Sequence, residues 1–203
     1  MNPAGSMDRD GGESVHERRD STTFDLPAVL VQLDDRTPTV QRDAVRTIRN
    51  EVEERPRECL PVVPKLRGLL EQPSLECHDE VAYCLAELAA ESPVDVAPSA
   101  DEIATFVADD PPEDATPALL RCLEEVAAVR PDVLVDHVDG ISTHLENDDP
   151  QVRAGAAATL GHVAAETDAA LENVRSRLGD LASRDPNPMV RERAKRAVDG
   201  LSE

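Results

Sequence analysis

The chain of 203 residues is almost without aromatic side chains, since it has no tryptophan, one tyrosine and two phenylalanines. Proteins that bind single-stranded nucleic acid usually stack bases on aromatic rings, so this shortage argues against that function. Lysine is nearly as scarce: only Lys65 and Lys195 are found among 21 basic residues. Phosphate contact needs clustered positive charge, and nucleic-acid binding is therefore disfavoured.

Sequence motifs of common enzyme classes are also missing. The chain has no glycine-rich nucleotide loop, no HExxH zinc motif and no GxSxG nucleophile turn. We therefore predict no catalytic residue, no cofactor and no metal. No stretch approaches the roughly 20 apolar residues of a membrane span, and the first residues contain no apolar signal-peptide core. These absences predict a cytoplasmic protein without a membrane partner.

Cysteine is present at four positions without a CxxC pair, namely Cys59, Cys77, Cys84 and Cys122. A free cysteine behaves as a small apolar residue, and Cys77 falls on a predicted core position. We therefore expect buried, reduced thiols in a reducing compartment, with a metal or redox role as the alternative.

What the chain does contain is a repeat of about 37 residues. Apolar anchors recur with steps of 37, 37, 38 and 36 residues, and a fixed period of this size is typical of a stacked helical solenoid. The anchors are Leu33, Leu70, Val107, Leu145 and Leu181.

Each unit contains two apolar patterns with helical spacing. The first, helix A, is clearest in unit four as Val152, Ala156 and Leu160, and the second, helix B, includes Val138 and Ile141 in unit three. Proline follows four anchors by five residues and predicts where helix A begins. These prolines are Pro38, Pro112, Pro150 and Pro186. The predicted organisation is a disordered acidic tail (1–22), a capping helix (23–33), repeats 34–70, 71–107, 108–145 and 146–181, and a closing half-repeat (182–203).

The fourth unit resembles a HEAT repeat, particularly the short form also found in phycobilin lyases. The matching residues are Asp149, Pro150, Val152, Arg153, Ala156, Ala157, Leu160 and Gly161. The fifth unit retains Asp185, Pro186, Val190, Arg191 and Ala194. The resemblance implies an all-α fold, an α-α superhelix of the HEAT/armadillo type with about four hairpin repeats, whose B helices line a concave face. HEAT arrays serve many unrelated binding roles, so the resemblance implies no particular activity.

The net charge of −21 is unevenly distributed. Residues 71–144 contain 18 acids against Arg121 and Arg130, whereas residues 23–70 are balanced. A carboxylate-rich, lysine-poor chain is suited to molar salt, where screening suppresses self-repulsion. This composition predicts a halophilic source, in particular a halophilic archaeon.

Two surfaces are candidate partner-binding sites. By the HEAT resemblance, acids of helices B in units two and three would line the concave groove and bind a basic protein segment; the alternative is a solvated halophilic surface. These acids are Asp95, Asp101, Asp132, Asp136 and Asp139. The secondary candidate is a stripe of Arg42, Arg46 and Arg49 at i, i+4 and i+7, which otherwise pairs with nearby glutamates. Asp109, Asp110, Glu113 and Asp114 form an acidic turn without the spacing of a calcium loop.

The predicted function is a non-catalytic protein-interaction scaffold or adaptor. The alternative is a HEAT-like module of an enzyme or attached to one, resembling a lyase or a DNA glycosylase. A buried, unpaired carboxylate beside a deep pocket would favour that alternative, and an open acidic groove would favour the scaffold.

Overall fold

The computed structural model describes residues 24–166 and 172–200. Within these residues the fold is all-α, with no strand. The predicted tail, 1–22, lies outside the described residues. The α-helices are α1 (Leu26–Leu33), α2 (Pro38–Glu54), α3 (Pro56–Cys59), α4 (Val63–Leu70), α5 (His78–Glu91), α6 (Pro93–Val96), α7 (Ala100–Ala108), α8 (Thr116–Ala127), α9 (Val138–Thr143), α10 (Pro150–Glu166), α11 (Glu172–Arg184) and α12 (Pro188–Gly200). Short 3-10 turns cover Leu60–Val62, Ala97–Ser99, Pro131–His137 and His144–Glu146.

The A helices α2, α5, α8, α10 and α12 stack in chain order, each packing on the next. The segments between them form a second layer, which we name B1 (56–70), B2 (93–108), B3 (131–146) and B4 (α11). Consecutive B segments also touch, since α4 packs on α7 and α7 on α9. Helix α1 packs against α2. Its N-cap residue, Asp25, accepts a hydrogen bond from the Ala28 amide. The predicted all-α, solenoid-like fold is confirmed.

The core follows the predicted periodicity. Leu85, Leu123 and Leu160 are fully buried at the same register of three successive A helices. Anchor Leu181 is only half-buried, whereas the other four anchors are buried. All four cysteines are buried and unpaired, as expected, and burial raises the pKa of the Cys122 thiol to about 12.

Three of the B segments differ from the continuous helices that were predicted. B1 and B2 begin with a short α-helical piece and a 3-10 turn before a longer α-helix forms, and B3 begins with the 3-10 stretch Pro131–His137. B4 is a single α-helix over the described residues. Pro61 and Pro98 lie inside these pieces in B1 and B2, where the missing N–H interrupts the α-helical ladder. B3 has no internal proline, but its sequence from Val133 to Gly140 is rich in β-branched residues and glycine, which are weak helix formers.

The proline positions mark the start of helix A in only two of the four units. Pro38 and Pro150 are the first residues of α2 and α10, but α8 begins at Thr116 and α12 at Pro188. The predictions for Pro112 and Pro186 are therefore wrong. Both units carry extra residues in this turn, so the proline stays in the turn; the Pro112 carbonyl accepts the Ala115 amide there.

Close packing around α10 depends on its small residues. A Cβ placed on Gly161 would lie 2.5 Å from the Ala197 Cβ of α12, and one on Gly155 would lie 2.9 Å from the Leu120 Cβ of α8. Because α10 is so thin, Arg193 of α12 reaches across it and pairs with Glu124 of α8. Arg193 therefore joins the last helix to α8 across α10.

The outer face of α12 differs in chemistry from the matching face of α10. Ala158 and Gly161 of α10 lie beside α12. The residues 38 positions later on α12, Arg196 and Asp199, are charged and exposed. A charged outer face on the terminal helix is what a solenoid requires to remain a separate molecule.

Candidate functional site

One hydrogen bond recurs at most repeat boundaries and explains several polar residues of the A helices. The side chain near the start of helix A donates to a backbone carbonyl at the end of the preceding B segment, which would otherwise lack a partner. Gln41 donates to Leu33 and His78 to Leu70, both at 3.2 Å. Because a carbonyl only accepts, the proton of His78 lies on Nε2. The matching bonds in the last two units run from Arg153 to Asn147 and from Arg191 to Asp185, both at 2.7 Å.

Arg153 also forms the best-buried ion pair of the described residues. Its guanidinium donates two hydrogen bonds to Asp185 of the next unit, at 2.8 and 3.0 Å, and the two side chains are 12% and 3% exposed. These bonds lower the pKa of Asp185. Two residues of the HEAT resemblance therefore hold neighbouring units together.

The arginine stripe of α2 is already engaged with the neighbouring helix. Arg42 pairs with Glu76, and the Arg46 Nε lies 3.5 Å from a carboxylate oxygen of Glu80. The guanidinium of Arg49 lies 4.6 Å from the centre of the Tyr83 ring. All three contacts join the first unit to the second, so a partner at this stripe would compete with internal contacts.

The five candidate acids are all exposed, but three of them have internal partners. Asp95 accepts a hydrogen bond from Ser92 at 2.5 Å, and Asp101 accepts one from His137 at 2.8 Å. Asp132 is bound twice by Arg130, at 2.8 Å each, and this lowers the pKa of Asp132. The list of partners is Ser92 for Asp95, His137 for Asp101 and Arg130 for Asp132.

Asp136 and Asp139 differ from the other three. Within the described residues, neither carboxylate has a cation within 4 Å. Asp139 occupies in B3 the register that Asp101 occupies in B2, 38 residues earlier. His137 of B3 donates to Asp101, so the two segments that carry the acids are in direct contact. We name Asp95, Asp101, Asp136 and Asp139 the acid row.

Exposed valines accompany these acids. Val94 and Val135, the immediate neighbours of Asp95 and Asp136, are 61% and 38% exposed. Val135 and Val129 line a cleft of about 490 Å³ together with Asp132. Exposed apolar area therefore lies beside Asp132, and each of Asp95 and Asp136 follows an exposed valine in the sequence.

Three further clefts recur where successive B segments end, and the sequence analysis missed them. Leu70, Thr105 and Phe106 line cleft one, of about 540 Å³. Their counterparts one repeat later, Val107, Thr143 and His144, line cleft two, of about 520 Å³. Cleft three, of about 290 Å³, is lined in the same way by Leu145, Asp180 and Leu181. The repeat itself was the signal that could have found them, since lining residues recur every 37 or 38 positions.

The acidic turn is divided between two of these clefts. Asp109 lines cleft one, whereas Asp110 and Glu113 line cleft two. Among the described residues, no group of three or more histidine, cysteine or acidic side chains is arranged to hold a metal ion. None of the described helices combines the length and apolar character needed to cross a bilayer.

Comparison with known proteins supports the fold and nothing more specific. No protein-family model matches the chain, and no curated protein matches it. Among solved structures, the crystal structure of an engineered protein, a Northeast Structural Genomics Consortium target, aligns with a TM-score of 0.75. The alignment covers 86% of this chain and 78% of that chain at 19% sequence identity. At this identity the likeness describes how the helices are arranged, and it carries no statement about activity.

Proposed function

We propose that the protein is a non-catalytic scaffold that holds a basic protein segment against the exposed side of B2 and B3. The observation that carries this proposal is the pair Asp136 and Asp139, two exposed carboxylates with no cation within 4 Å among the described residues. Exposed Val135 directly precedes Asp136 in the sequence. Carboxylates in this state are free to accept charge-assisted, bidentate hydrogen bonds from arginine side chains of a partner.

The fold does not require acids at these positions. Pro61 and Pro64 of B1 occupy the registers of Asp136 and Asp139, and Pro98 of B2 occupies the first of them. Both registers are exposed in B1 and B3, so the packing of the helices does not require an acidic residue at either position. The acids of B3 are therefore better explained by what the surface contacts than by what the repeat needs.

Apolar contact supports the same conclusion. We also propose that the protein works in the cytoplasm of a halophilic cell, where charge attraction is screened within about 3 Å at molar salt. A partner held by charge alone would dissociate there. Val94 and Val135 supply apolar area beside the acids, and the hydrophobic effect does not weaken at high salt.

HEAT-type repeats are part of this proposal. Arg153 and Arg191, which belong to the resemblance, make the same bonds to the preceding turn in units four and five. The alternative, an enzyme-associated module, would be favoured by a buried and unpaired carboxylate beside a pocket. Among the described residues, Asp185 is the acid classed as buried, and it is paired with Arg153. Glu51 and Glu80 each have one buried oxygen without a hydrogen bond, but they pair with Arg55 and Arg46. The observations therefore favour the scaffold over the enzyme-associated module.

The test uses a labelled synthetic peptide that alternates arginine and valine, with binding followed by fluorescence anisotropy at 0.15 M and 2 M KCl. Asp136→Asn with Asp139→Asn should weaken binding about tenfold at low salt, which corresponds to about 1.4 kcal/mol. The matched control is Asp43→Asn with Asp114→Asn. It removes the same charge from exposed positions outside B2 and B3, where the described residues place no cation within 4 Å. Equal weakening by both double variants would show a non-specific charge effect and contradict the proposal.

A further inference from the structure

Cleft one combines an aromatic floor with an acidic rim. The rings of His78 and Phe106 are stacked, with centroids 5.9 Å apart and planes 8° apart. The bond from His78 to the Leu70 carbonyl holds the imidazole in place. Glu71 and Asp109 are exposed carboxylates on the rim of the same cleft. No arginine or lysine of the described residues lines it.

This combination suits a planar cation. A guanidinium stacks on an aromatic ring through its flat face and donates hydrogen bonds to carboxylates through its edge. Glu102 also lines the cleft, but Arg67 already donates to it at 2.5 Å. Glu71 and Asp109 are the rim carboxylates that the described residues leave without a cation within 4 Å.

Cleft two repeats the acidic rim one repeat later. Asp110, Glu113 and Asp148 are exposed carboxylates in its lining. Its histidine, His144, uses Nε2 to donate to the Val107 carbonyl at 2.8 Å. Among the described residues, no arginine or lysine lines cleft two, and Asp110, Glu113 and Asp148 have no cation within 4 Å. Asp149, a further lining carboxylate, accepts a hydrogen bond from the Gln151 amide at 2.7 Å.

Cleft three shows what the same place looks like when it contains its own cations. Arg177 donates to Glu146 and Arg184 to Asp180, both at 2.9 Å. Arg184 occupies the register of Asp109 in cleft one and of Asn147 in cleft two. The fold therefore accommodates arginine side chains beside these carboxylates in cleft three. The described residues supply clefts one and two with carboxylates but with no lining arginine.

Both clefts continue the acid row. Thr105 lines cleft one and follows Asp101 by one helical turn, and its hydroxyl donates to the Asp101 carbonyl at 2.9 Å. Thr143 lines cleft two and follows Asp139 by the same four residues. A segment lying along the acid row would therefore have both clefts within reach of its side chains.

We propose that clefts one and two bind two basic side chains of one extended protein segment, spaced three residues apart, with arginine in cleft one. This rests on the proposed function and adds the spacing that the partner must have. Neighbouring helices pack about 8–10 Å apart, so equivalent clefts in successive repeats are separated by about that distance. An extended chain in the polyproline II conformation advances about 3.1 Å per residue with three residues per turn. The side chains of residues i and i+3 therefore lie on the same face, about 9 Å apart, and can enter the two clefts.

The first experiment varies the spacing. Three labelled peptides of identical composition carry Arg-x-x-Arg, Arg-x-Arg or Arg-x-x-x-x-Arg among valine and serine, and binding is measured by fluorescence anisotropy. The Arg-x-x-Arg peptide should bind about tenfold more tightly than the other two. Replacing either arginine by citrulline, which keeps the shape and removes the charge, should remove this advantage. Equal affinity for the three peptides, or no effect of citrulline, would overturn the proposal.

The second experiment locates the side chains. Glu71→Gln with Asp109→Asn removes the rim charge of cleft one, and Asp110→Asn with Asp148→Asn does so in cleft two. Each should reduce affinity for Arg-x-x-Arg to that of the other spacings, whereas Asp43→Asn with Asp114→Asn should not. If these cleft variants keep full affinity while the Asp136/Asp139 variant loses it, the acid row binds and the clefts do not. If the Asp136/Asp139 variant also keeps full affinity, the proposed function itself fails.

Proton NMR gives a direct readout of cleft one, because the chain has only two phenylalanines and one tyrosine. The Arg-x-x-Arg peptide should shift the ring resonances of Phe106 and leave those of Phe24 in place, with Phe106→Leu providing the assignment. Equal shifts at both rings, or none at Phe106, would show that arginine does not enter cleft one.

Discussion

In the fourth unit, Arg153 and Asp185 meet across a repeat boundary with side chains that are 12% and 3% exposed. In B3, Asp136 and Asp139 face water and have no cation within 4 Å among the described residues. Both regions belong to the same repeat pattern, and both are polar. The first uses its charges to join two units, whereas the second leaves its charges available to a partner.

The comparison separates two uses of one architecture. Around α10, Gly155 and Gly161 let neighbouring helices approach closely, and the polar residues close the boundary. In the middle units the apolar core is equally buried, with Leu123 fully covered, but the exposed registers of the B segments are not needed for packing. Changes at the fourth unit should therefore affect stability, and changes at the acid row should affect binding.

The largest expected effect is on the buried ion pair. Arg153→Met leaves Asp185 buried without its partner and should lower the free energy of unfolding by about 3–5 kcal/mol. Arg121→Met is the matched control, because Arg121 pairs with Glu87 across another boundary with side chains 46% and 30% exposed. It should cost less than about 1 kcal/mol. Urea unfolding of both variants at one salt concentration tests this, and equal losses would show that burial does not distinguish the two boundaries.

The same pair predicts a dependence on pH. Arg153 lowers the pKa of Asp185 in the folded state, so the pair contributes fully above the ordinary aspartate pKa of about 4. The contribution is lost as the pH falls through the lowered value. The difference in stability between the wild type and Arg153→Met should therefore shrink below about pH 4. A difference that stays constant down to pH 2 would contradict the assignment.

A core cavity in the fourth unit should cost about 2–5 kcal/mol. Leu160 is fully buried, and Leu160→Ala removes its contacts between the two layers. Leu123→Ala in the third unit should fall in the same range, because Leu123 is equally buried at the same register of helix A. Thermal unfolding in matched salt measures both. If Leu160→Ala melts like the wild type, the register assigned to α10 is wrong.

Overpacking of α10 should cost about 1–3 kcal/mol. Gly161→Ala places a Cβ within 2.5 Å of the Ala197 Cβ and forces α10 and α12 apart. Gly179→Ala in α11 is the control, since nothing lies within 4 Å of a Cβ there. It should be neutral or stabilise by up to about 1 kcal/mol through the higher helix propensity of alanine. Chemical denaturation of the two variants would reveal whether close approach is confined to α10.

The smallest expected effect is a difference in local opening between units. The unfolding temperature should rise between about 0.1 M and 2 M KCl, because screening shortens from about 10 Å at 0.1 M to about 3 Å at 1 M. At low salt, amide hydrogens of units two and three should exchange before those of the end units, because residues 71–144 carry most of the negative charge. The free energies of local opening should differ by less than about 1 kcal/mol. If the end units exchange first, residues 71–144 are not the least stable part of the protein.

Much of the fold could be predicted because its information is local. The spacing of Val152, Ala156 and Leu160 marks one face of a helix, whatever lies beside it. The ends of elements were less predictable. Pro112 and Pro186 remain in turns because of inserted residues. B1 and B2 contain 3-10 pieces at Pro61 and Pro98, and B3 contains one in its β-branched stretch.

The candidate site was predicted only in part for the same reason. The exposure of Asp132, Asp136 and Asp139 follows from helix phase, and the structure agrees with it. That Arg130 already binds Asp132, and that His137 binds Asp101, depends on how side chains meet in space. The proposed clefts were missed because each is built from the ends of two successive units.

The sequence by itself determined the repeat, the buried face of each helix and the acidic bias of the middle units, because all three are properties of residues a few positions apart or of composition. Only the tertiary structure decided which charges are satisfied and which remain free. Arg153 and Asp185 are 32 residues apart, and Arg193 and Glu124 are 69 apart. Such pairs form only where the rise and rotation between stacked helices bring two side chains together, and no local pattern specifies that geometry.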